Sequence, residues 1–181
     1  MKPMNIIVAV DSGAGFAKDG QIPWYYSEDF KHFKETTMGH VCVMGRGTYE
    51  DIAERRLPPP GEDILPGRQS YVVTRNKEFA PAGATRVDGL DRVFLDLDMD
   101  DSREIFILGG ALLFREALPF TKKIYMTIIN KRYDCDQAFD LGYLNKYFTI
   151  TKVTDKTGRL VTTADKSKDE FLFFEYDRVR V

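Results

Sequence analysis

Val41-Cys42-Val43-Met44-Gly45-Arg46-Gly47-Thr48 reads as a buried strand that turns, across two glycines, into a helix. Four apolar residues in a row, without polar alternation, fit a strand covered on both faces. Glycine supplies the freedom a tight strand-to-helix turn needs. Working outward, the same character recurs. Ile6 to Val10 is continuous, mostly β-branched and stopped by Asp11-Ser12-Gly13, and Ser70 to Thr74, Ile105 to Leu108 and Ile124 to Ile129 are alike. Helical patterns lie between them. Ser27 is expected to cap a helix running to Thr37, with Phe30 and Phe33 on its apolar side. A second helix starts around Gly47-Thr48-Tyr49-Glu50. Asp88 is expected to cap a third, carrying Leu90, Val93, Phe94 and Leu97, and a fourth runs from Ala111 to Leu118, ended by Pro119.

Strands alternating with helices imply crossover units and a mainly parallel sheet. The tail breaks that rhythm. Tyr147 to Thr154 and Phe171 to Tyr176 alternate like antiparallel strands on either side of the polar Asp165-Lys166-Ser167-Lys168. The expectation is an α/β fold: one domain over residues 1–181, a mostly parallel central sheet with flanking helices, and a C-terminal antiparallel hairpin. No internal repeat or linker divides the chain. Leu57-Pro58-Pro59-Pro60-Gly61 reads as a stiff surface loop, and Asp96, Asp98, Asp100 and Asp101 as a solvated helix end.

Composition narrows the class of function. The 28 acidic and 26 basic residues leave a net charge of -2, so no strong field favours nucleic acid. The apolar run at residues 6–10 is too short for a signal core or a membrane span. Two cysteines are too few for a disulfide framework, and Cys42 in its apolar run reads as a small buried hydrophobe. A cytoplasmic protein with no membrane partner is expected, and a monomer, since no apolar helix stripe is left over.

Several positions could carry chemistry. Asp29 falls in the first turn of its helix, with Phe33 four residues on, which points the carboxylate toward apolar surroundings. Alone, such an acid merely offsets the helix dipole, and Trp24 alone is a core residue. Arg46 adds a cation to a helix start whose free N–H groups suit an anion. Gly109-Gly110, between Leu108 and Ala111, let a ligand approach the backbone, although they do not complete the six-residue dinucleotide fingerprint. Both glycine turns fall at the C-terminal ends of strands, where ligands of parallel sheets collect. Arg68 follows the turn Leu65-Pro66-Gly67, and Thr127 sits within a strand, where a buried hydroxyl needs a partner.

Taken in order, these stretches resemble dihydrofolate reductase over almost the whole chain. The resemblance runs from Ile6-Ile7-Val8-Ala9-Val10 through Ile22-Pro23-Trp24 and Asp29 to Val43-Met44-Gly45-Arg46-Gly47-Thr48. It continues in Leu65-Pro66-Gly67-Arg68, Ile107-Leu108-Gly109-Gly110 and Tyr125-Met126-Thr127. It implies NADPH-dependent reduction of 7,8-dihydrofolate to 5,6,7,8-tetrahydrofolate by hydride transfer to the pteridine, supporting one-carbon metabolism and thymidylate and purine synthesis. Dihydrofolate and antifolates are the implied ligands. Asp29, Trp24 and Thr127 are the implied catalytic group, with Asp29 facing two adjacent pteridine donors. Ile7, Val8, Phe30, Phe33, Ile52 and Leu65 are implied to bind substrate, and Arg68 to pair with the α-carboxylate of its glutamate tail.

The implied cofactor set is Ala9, Ile22, Gly45, Arg46, Gly47, Thr48, Thr74, Arg75, Leu108, Gly109, Gly110, Ala111, Leu113 and Phe114, and no metal. Arg75 is implied to meet the 2′-phosphate that distinguishes NADPH from NADH. Phe114 stands where relatives often carry tyrosine, and the proline-bearing segment from Arg55 to Ile64 is longer than in many. Two alternatives share much of this pattern. The pyrimidine reductase of riboflavin synthesis would need a basic pocket for a phosphorylated substrate, and Trp24, Asp29 and Arg68 argue against it. A non-catalytic folate- or NADPH-binding module would have no use for an intact acid.

Overall fold

The structure, a computed structural model, describes residues 2, 4–97, 101–163 and 170–179. Six parallel strands form most of one eight-stranded sheet: β1 (Met4–Val10), β3 (Val41–Gly45), β4 (Gln69–Val73), β5 (Thr85–Val87), β6 (Ile105–Gly109) and β7 (Thr121–Ile129). The order is β5-β4-β3-β6-β1-β7-β10-β9, with β9 (Phe148–Thr154) and β10 (Phe171–Arg178) antiparallel at one edge. A mostly parallel sheet with a C-terminal antiparallel hairpin is therefore what the chain forms. The central strands are covered on both faces: Val41, Cys42, Val43 and Met44 are all fully buried, as continuous apolar runs require.

Helices α1 (Ser27–Thr37), α2 (Arg46–Arg55), α3 (Leu90–Asp96) and α4 (Ala111–Ala117) make the crossovers, and a 3-10 turn, Leu118–Phe120, takes in Pro119. Two caps differ from expectation. Tyr26 holds the N-cap of α1 in extended geometry, leaving Ser27 inside the first turn with its hydroxyl on Glu28. Gly89, not Asp88, precedes α3, and the Asp88 carboxylate pairs with Arg86 instead. Neither helix has a side-chain cap.

Three short elements carried no periodicity to read: β2 (Gly15–Ala17), its partner β8 (Gln137–Ala138), and the edge strand β5. A further helix, α5 (Leu141–Tyr147), ends where a strand was expected to begin. Its cap is Asp140, which accepts from the Tyr143 backbone N–H at 2.8 Å. Pro58 is buried while Pro59 and Pro60 are exposed, so the proline loop is anchored at its first member. Asp96 is exposed at the end of α3, as expected, and both described members of the acidic cluster also have partners. Asp96 accepts from the Tyr71 hydroxyl at 3.1 Å, and Asp101 pairs with Arg103 at 2.6 Å. Asp98, Asp100 and the stretch 165–168 lie outside the described residues. Both cysteines are free, with Cys42 buried, and no described helix is long and apolar enough to cross a membrane.

One polar residue ties the connections into place. Asp11, at the end of β1, accepts backbone N–H groups from Gly13 and Gly15 at 2.8 Å and from Tyr133 at 2.9 Å. Burial alone would raise its pKa, but the hydrogen bonds from Tyr133, Gly15 and Gly13 outweigh that and hold it below its ordinary value. The ionised side chain thereby staples the loop after β1 to the loop after β7, beside the paired β2 and β8.

Candidate active site

A cleft of about 1280 Å³ opens at the C-terminal ends of β1, β3, β4 and β6. Half-buried in its wall is Asp29. The first turn of α1 carries this carboxyl over the sheet, where the Thr127 hydroxyl donates to Oδ1 at 2.6 Å. Thr127 is buried in β7, in register with Ala9 on one side and Phe173 on the other. Burial pushes the Asp29 pKa up, and the bond from Thr127 opposes that shift. Trp24 is 5% exposed, packs against Tyr133 at 5.1 Å between ring centroids, and closes the apolar wall behind the acid. Phe30 and Phe33, on the same helix, also face the cleft, as do Ile7, Val8 and Ile52.

The other end is built from backbone. Strands β3 and β6 are neighbours, and Met44 is in register with Gly109. Their glycine turns therefore meet. A Cβ placed on Gly45 would stand 3.5 Å from the Gly110 backbone nitrogen, and one on Gly110 would stand 3.8 Å from the Thr48 hydroxyl. Gly109 adopts φ +119, which favours glycine, and a Cβ there would press on the Phe114 ring at 3.2 Å. Gly47 opens onto free space. Helices α2 and α4 both begin in this wall without a side-chain cap, so their first N–H groups are available. Arg46 and Arg75 add exposed positive charge. Free N–H groups, glycines without obstructing side chains and two cations fit the diphosphate of a dinucleotide.

The cleft brings together every cofactor position expected from the sequence: Ala9, Ile22, Gly45, Arg46, Gly47, Thr48, Thr74, Arg75, Leu108, Gly109, Gly110, Ala111, Leu113 and Phe114. Phe114 is buried and edge-on to Phe16 at 5.3 Å, with no hydroxyl to offer. Two substrate positions stand back from the wall. Leu65 is buried in the cluster that Phe33 and Ile52 pack against. Arg68 is 5% exposed, donating to the Pro66 carbonyl and the Thr37 hydroxyl, each at 3.2 Å, with its guanidinium 5.5 Å from the Phe33 ring centre. Burial lowers its pKa. Sequence reasoning passed over His32, which also faces the cleft. Its spacing of three from Asp29 on one helix was the available signal.

The family model for dihydrofolate reductase matches residues 3–178. The chain belongs to the dihydrofolate reductase family. It is thereby an oxidoreductase of that family, and curated dihydrofolate reductases agree. That of Bacillus subtilis is 29% identical over 174 residues, covering 96% of this chain and 90% of the relative. The type 3 dihydrofolate reductase of Salmonella typhimurium is 35% identical over 136 residues, 75% of this chain and 77% of the relative. Dihydrofolate reductase HdrB of Haloferax volcanii is 31% identical, covering 96% of this chain and 82% of that one. Among solved structures, dihydrofolate reductase from Enterococcus faecalis, complexed with NADP(H) and RAB-propyl, superposes with a TM-score of 0.76. It covers 98% of this chain and 97% of that one at 23% identity, a likeness of dihydrofolate reductase fold.

Proposed function

We propose that this member of the family reduces 7,8-dihydrofolate to 5,6,7,8-tetrahydrofolate with NADPH, in support of one-carbon metabolism and of thymidylate and purine synthesis. The carrying observation is the half-buried Asp29 carboxyl, held by Thr127 in a cleft whose other end is two adjoining glycine turns. Bound there, NADPH supplies the reducing equivalents. Gly45, Arg46, Gly47 and Thr48 at the start of α2, and Gly109, Gly110 and Ala111 at the start of α4, would hold its diphosphate. Arg75, beyond Thr74, would favour a 2′-phosphate over a bare ribose. Ala9, Ile22, Leu108, Leu113 and Phe114 complete that wall.

Asp29 accepts two adjacent donors of the pteridine side by side, which orients the ring and selects the face presented to the cofactor. Its negative charge raises the basicity of the ring nitrogen that gains a proton. Thr127 fixes the orientation of the carboxyl and Trp24 excludes bulk water behind it. Phe30, Phe33, Ile52, Ile7 and Val8 enclose the rings. Leu65 supports this wall from behind. Arg68 would meet the α-carboxylate of the glutamate tail after turning from the Thr37 hydroxyl, a charge-assisted bond worth about 1.5–3 kcal/mol. The reading also takes the protein as a cytoplasmic monomer, one domain over residues 1–181, with no nucleic-acid partner.

The test is NADPH absorbance on adding dihydrofolate. It should fall, and an antifolate should stop it. Oxidation only with the pyrimidine of riboflavin synthesis would replace the substrate assignment. NADPH binding with no oxidation by either would reduce the protein to a binding module.

A further inference from the structure

One titratable group in the cleft wall has no part in that reaction. His32 lies three residues after Asp29 on α1, and its ring stacks on Phe173 with centroids 3.9 Å apart and planes 21° apart. Phe173 is the register partner of Thr127 across β10 and β7, and Thr127 is the residue that holds Asp29. Residues three apart on a helix have Cβ atoms about 5–6 Å apart on one face. The two side chains therefore reach the two members of a single cross-strand pair. Asp29 is tied to one member and His32 is seated on the other.

We propose that His32 is a positioning residue for Asp29: the two titrate as a pair, and proton uptake by the imidazole keeps the carboxylate ionised as the medium turns acid. Burial holds the His32 pKa below its ordinary value, against Glu175 on β10 and Glu35 on α1 and assisted by Lys152 on β9. The ring is thus neutral near pH 7, a flat cover beside the acid. Burial displaces Asp29 in the opposite direction, upward, which narrows the interval between the ordinary values of the two groups. Once cationic, His32 is an opposite charge one helical turn from the carboxyl, and a partner of that kind within about 4–6 Å lowers a carboxyl pKa by about 1–3 units. The pair would preserve the anionic form of Asp29, which binds substrate donors, over a wider pH range than a lone buried acid allows. This consequence for turnover rests on the role given to Asp29 above. The coupling itself does not.

The chain has only two histidines, His32 and His40. Proton NMR of the imidazole resonances across pH is therefore simple, with His32→Phe assigning the signals and His40 as internal reference. Asp29→Asn should lower the His32 midpoint by about one unit. Reciprocally, His32→Phe keeps a ring on Phe173 but carries no charge. It should raise, by the same amount, the pH at which binding of a 2,4-diaminopyrimidine antifolate is lost on the acid side, because linkage between two sites is symmetric. His32→Gln, polar but uncharged near neutrality, should shift with the phenylalanine variant. A His32 midpoint indifferent to Asp29→Asn, with binding profiles of the variants superimposed on the wild type, would leave the ring a packing element and overturn the proposal. Absence of turnover with dihydrofolate would remove the substrate assignment while leaving the NMR coupling readable.

Discussion

The two ends of the cleft solve opposite problems. At the Asp29 end, side chains grip one another: Thr127 bonds the carboxyl at 2.6 Å, Trp24 is 5% exposed, and Phe171 and Phe173 pack in the same cluster. At the glycine end, function depends on side chains being absent. Gly45 and Gly110 nearly touch through backbone, and the cations there, Arg46 and Arg75, are exposed. Chemistry that needs a particular pKa is built from identity and burial, whereas holding a diphosphate needs free N–H groups and room. Substitutions at the first end should therefore change rate and pH dependence. Those at the second should change cofactor affinity, with stability affected only where the backbone itself is unusual.

Asp29→Asn should show the largest effect, lowering kcat/KM by about 10²–10⁴-fold. The same change should stabilise the protein at neutral pH. Burial raises the Asp29 pKa in the fold. An acid raised in this way contributes stability fully below its unfolded value and loses it as pH rises through its folded value. At pH 7 the wild type therefore carries a penalty, about 1.4 kcal/mol for each unit of displacement, which a neutral amide avoids. Thermal unfolding of both proteins at pH 7 and near pH 4 checks the sign: the difference should shrink at the lower pH. Wild-type turnover in the variant would break the distinction between the two ends.

Gly109→Ala should come next. With φ +119 and a new Cβ 3.2 Å from the Phe114 ring and 3.4 Å from the Thr48 hydroxyl, the fold should lose about 1–3 kcal/mol, and NADPH affinity should fall with it. Gly47→Ala is the contrast. Its Cβ meets nothing within 4 Å and it lies inside α2, so stability should hold or rise by about 0.5–1 kcal/mol. Any loss it shows should be in cofactor binding alone. Equal stability costs at the two glycines, measured by denaturant unfolding, would refute the conformational account of Gly109.

Much of this division is legible in the sequence. Runs such as Val41 to Met44 and Ile105 to Leu108 announce strands because they are apolar throughout, and the glycines after them mark both the turn and the ligand end of the sheet. Asp29 was legible through the resemblance to dihydrofolate reductase, since alone an acid in a first helical turn reads as an offset to the dipole. What escaped depends on geometry that periodicity does not encode. β2 and β8 are three and two residues long and exist through pairing across the chain. The caps at Ser27 and Asp88 failed because the extended residue that opens a helix is set by the incoming loop, here at Tyr26 and Gly89. The retreat of Arg68 toward Thr37 is a choice among side-chain orientations, which a position in sequence leaves open.

Thr127→Val tests the side-chain end more gently. The hydroxyl bond lowers the Asp29 pKa against burial, so losing it should raise that pKa further. The acid limb of kcat/KM should then move to higher pH, and the fold should lose about 1 kcal/mol. An unmoved limb would mean that Asp29 is not the group seen in the rate profile.

The smallest effect belongs to the exposed end. Arg46 and Glu50 form an i,i+4 pair at 2.6 Å on α2, with side chains 46% and 48% exposed. Solvent screens such a pair, so Glu50→Gln should change stability by less than about 0.5 kcal/mol. Yet Glu50 competes with any anion for the same guanidinium. Releasing Arg46 should tighten NADPH binding by about twofold at low salt, with kcat unchanged, and the gain should fade as ionic strength rises. A change in kcat from this substitution would mean that the glycine end reaches into the chemistry at Asp29, and the two ends would no longer be separable.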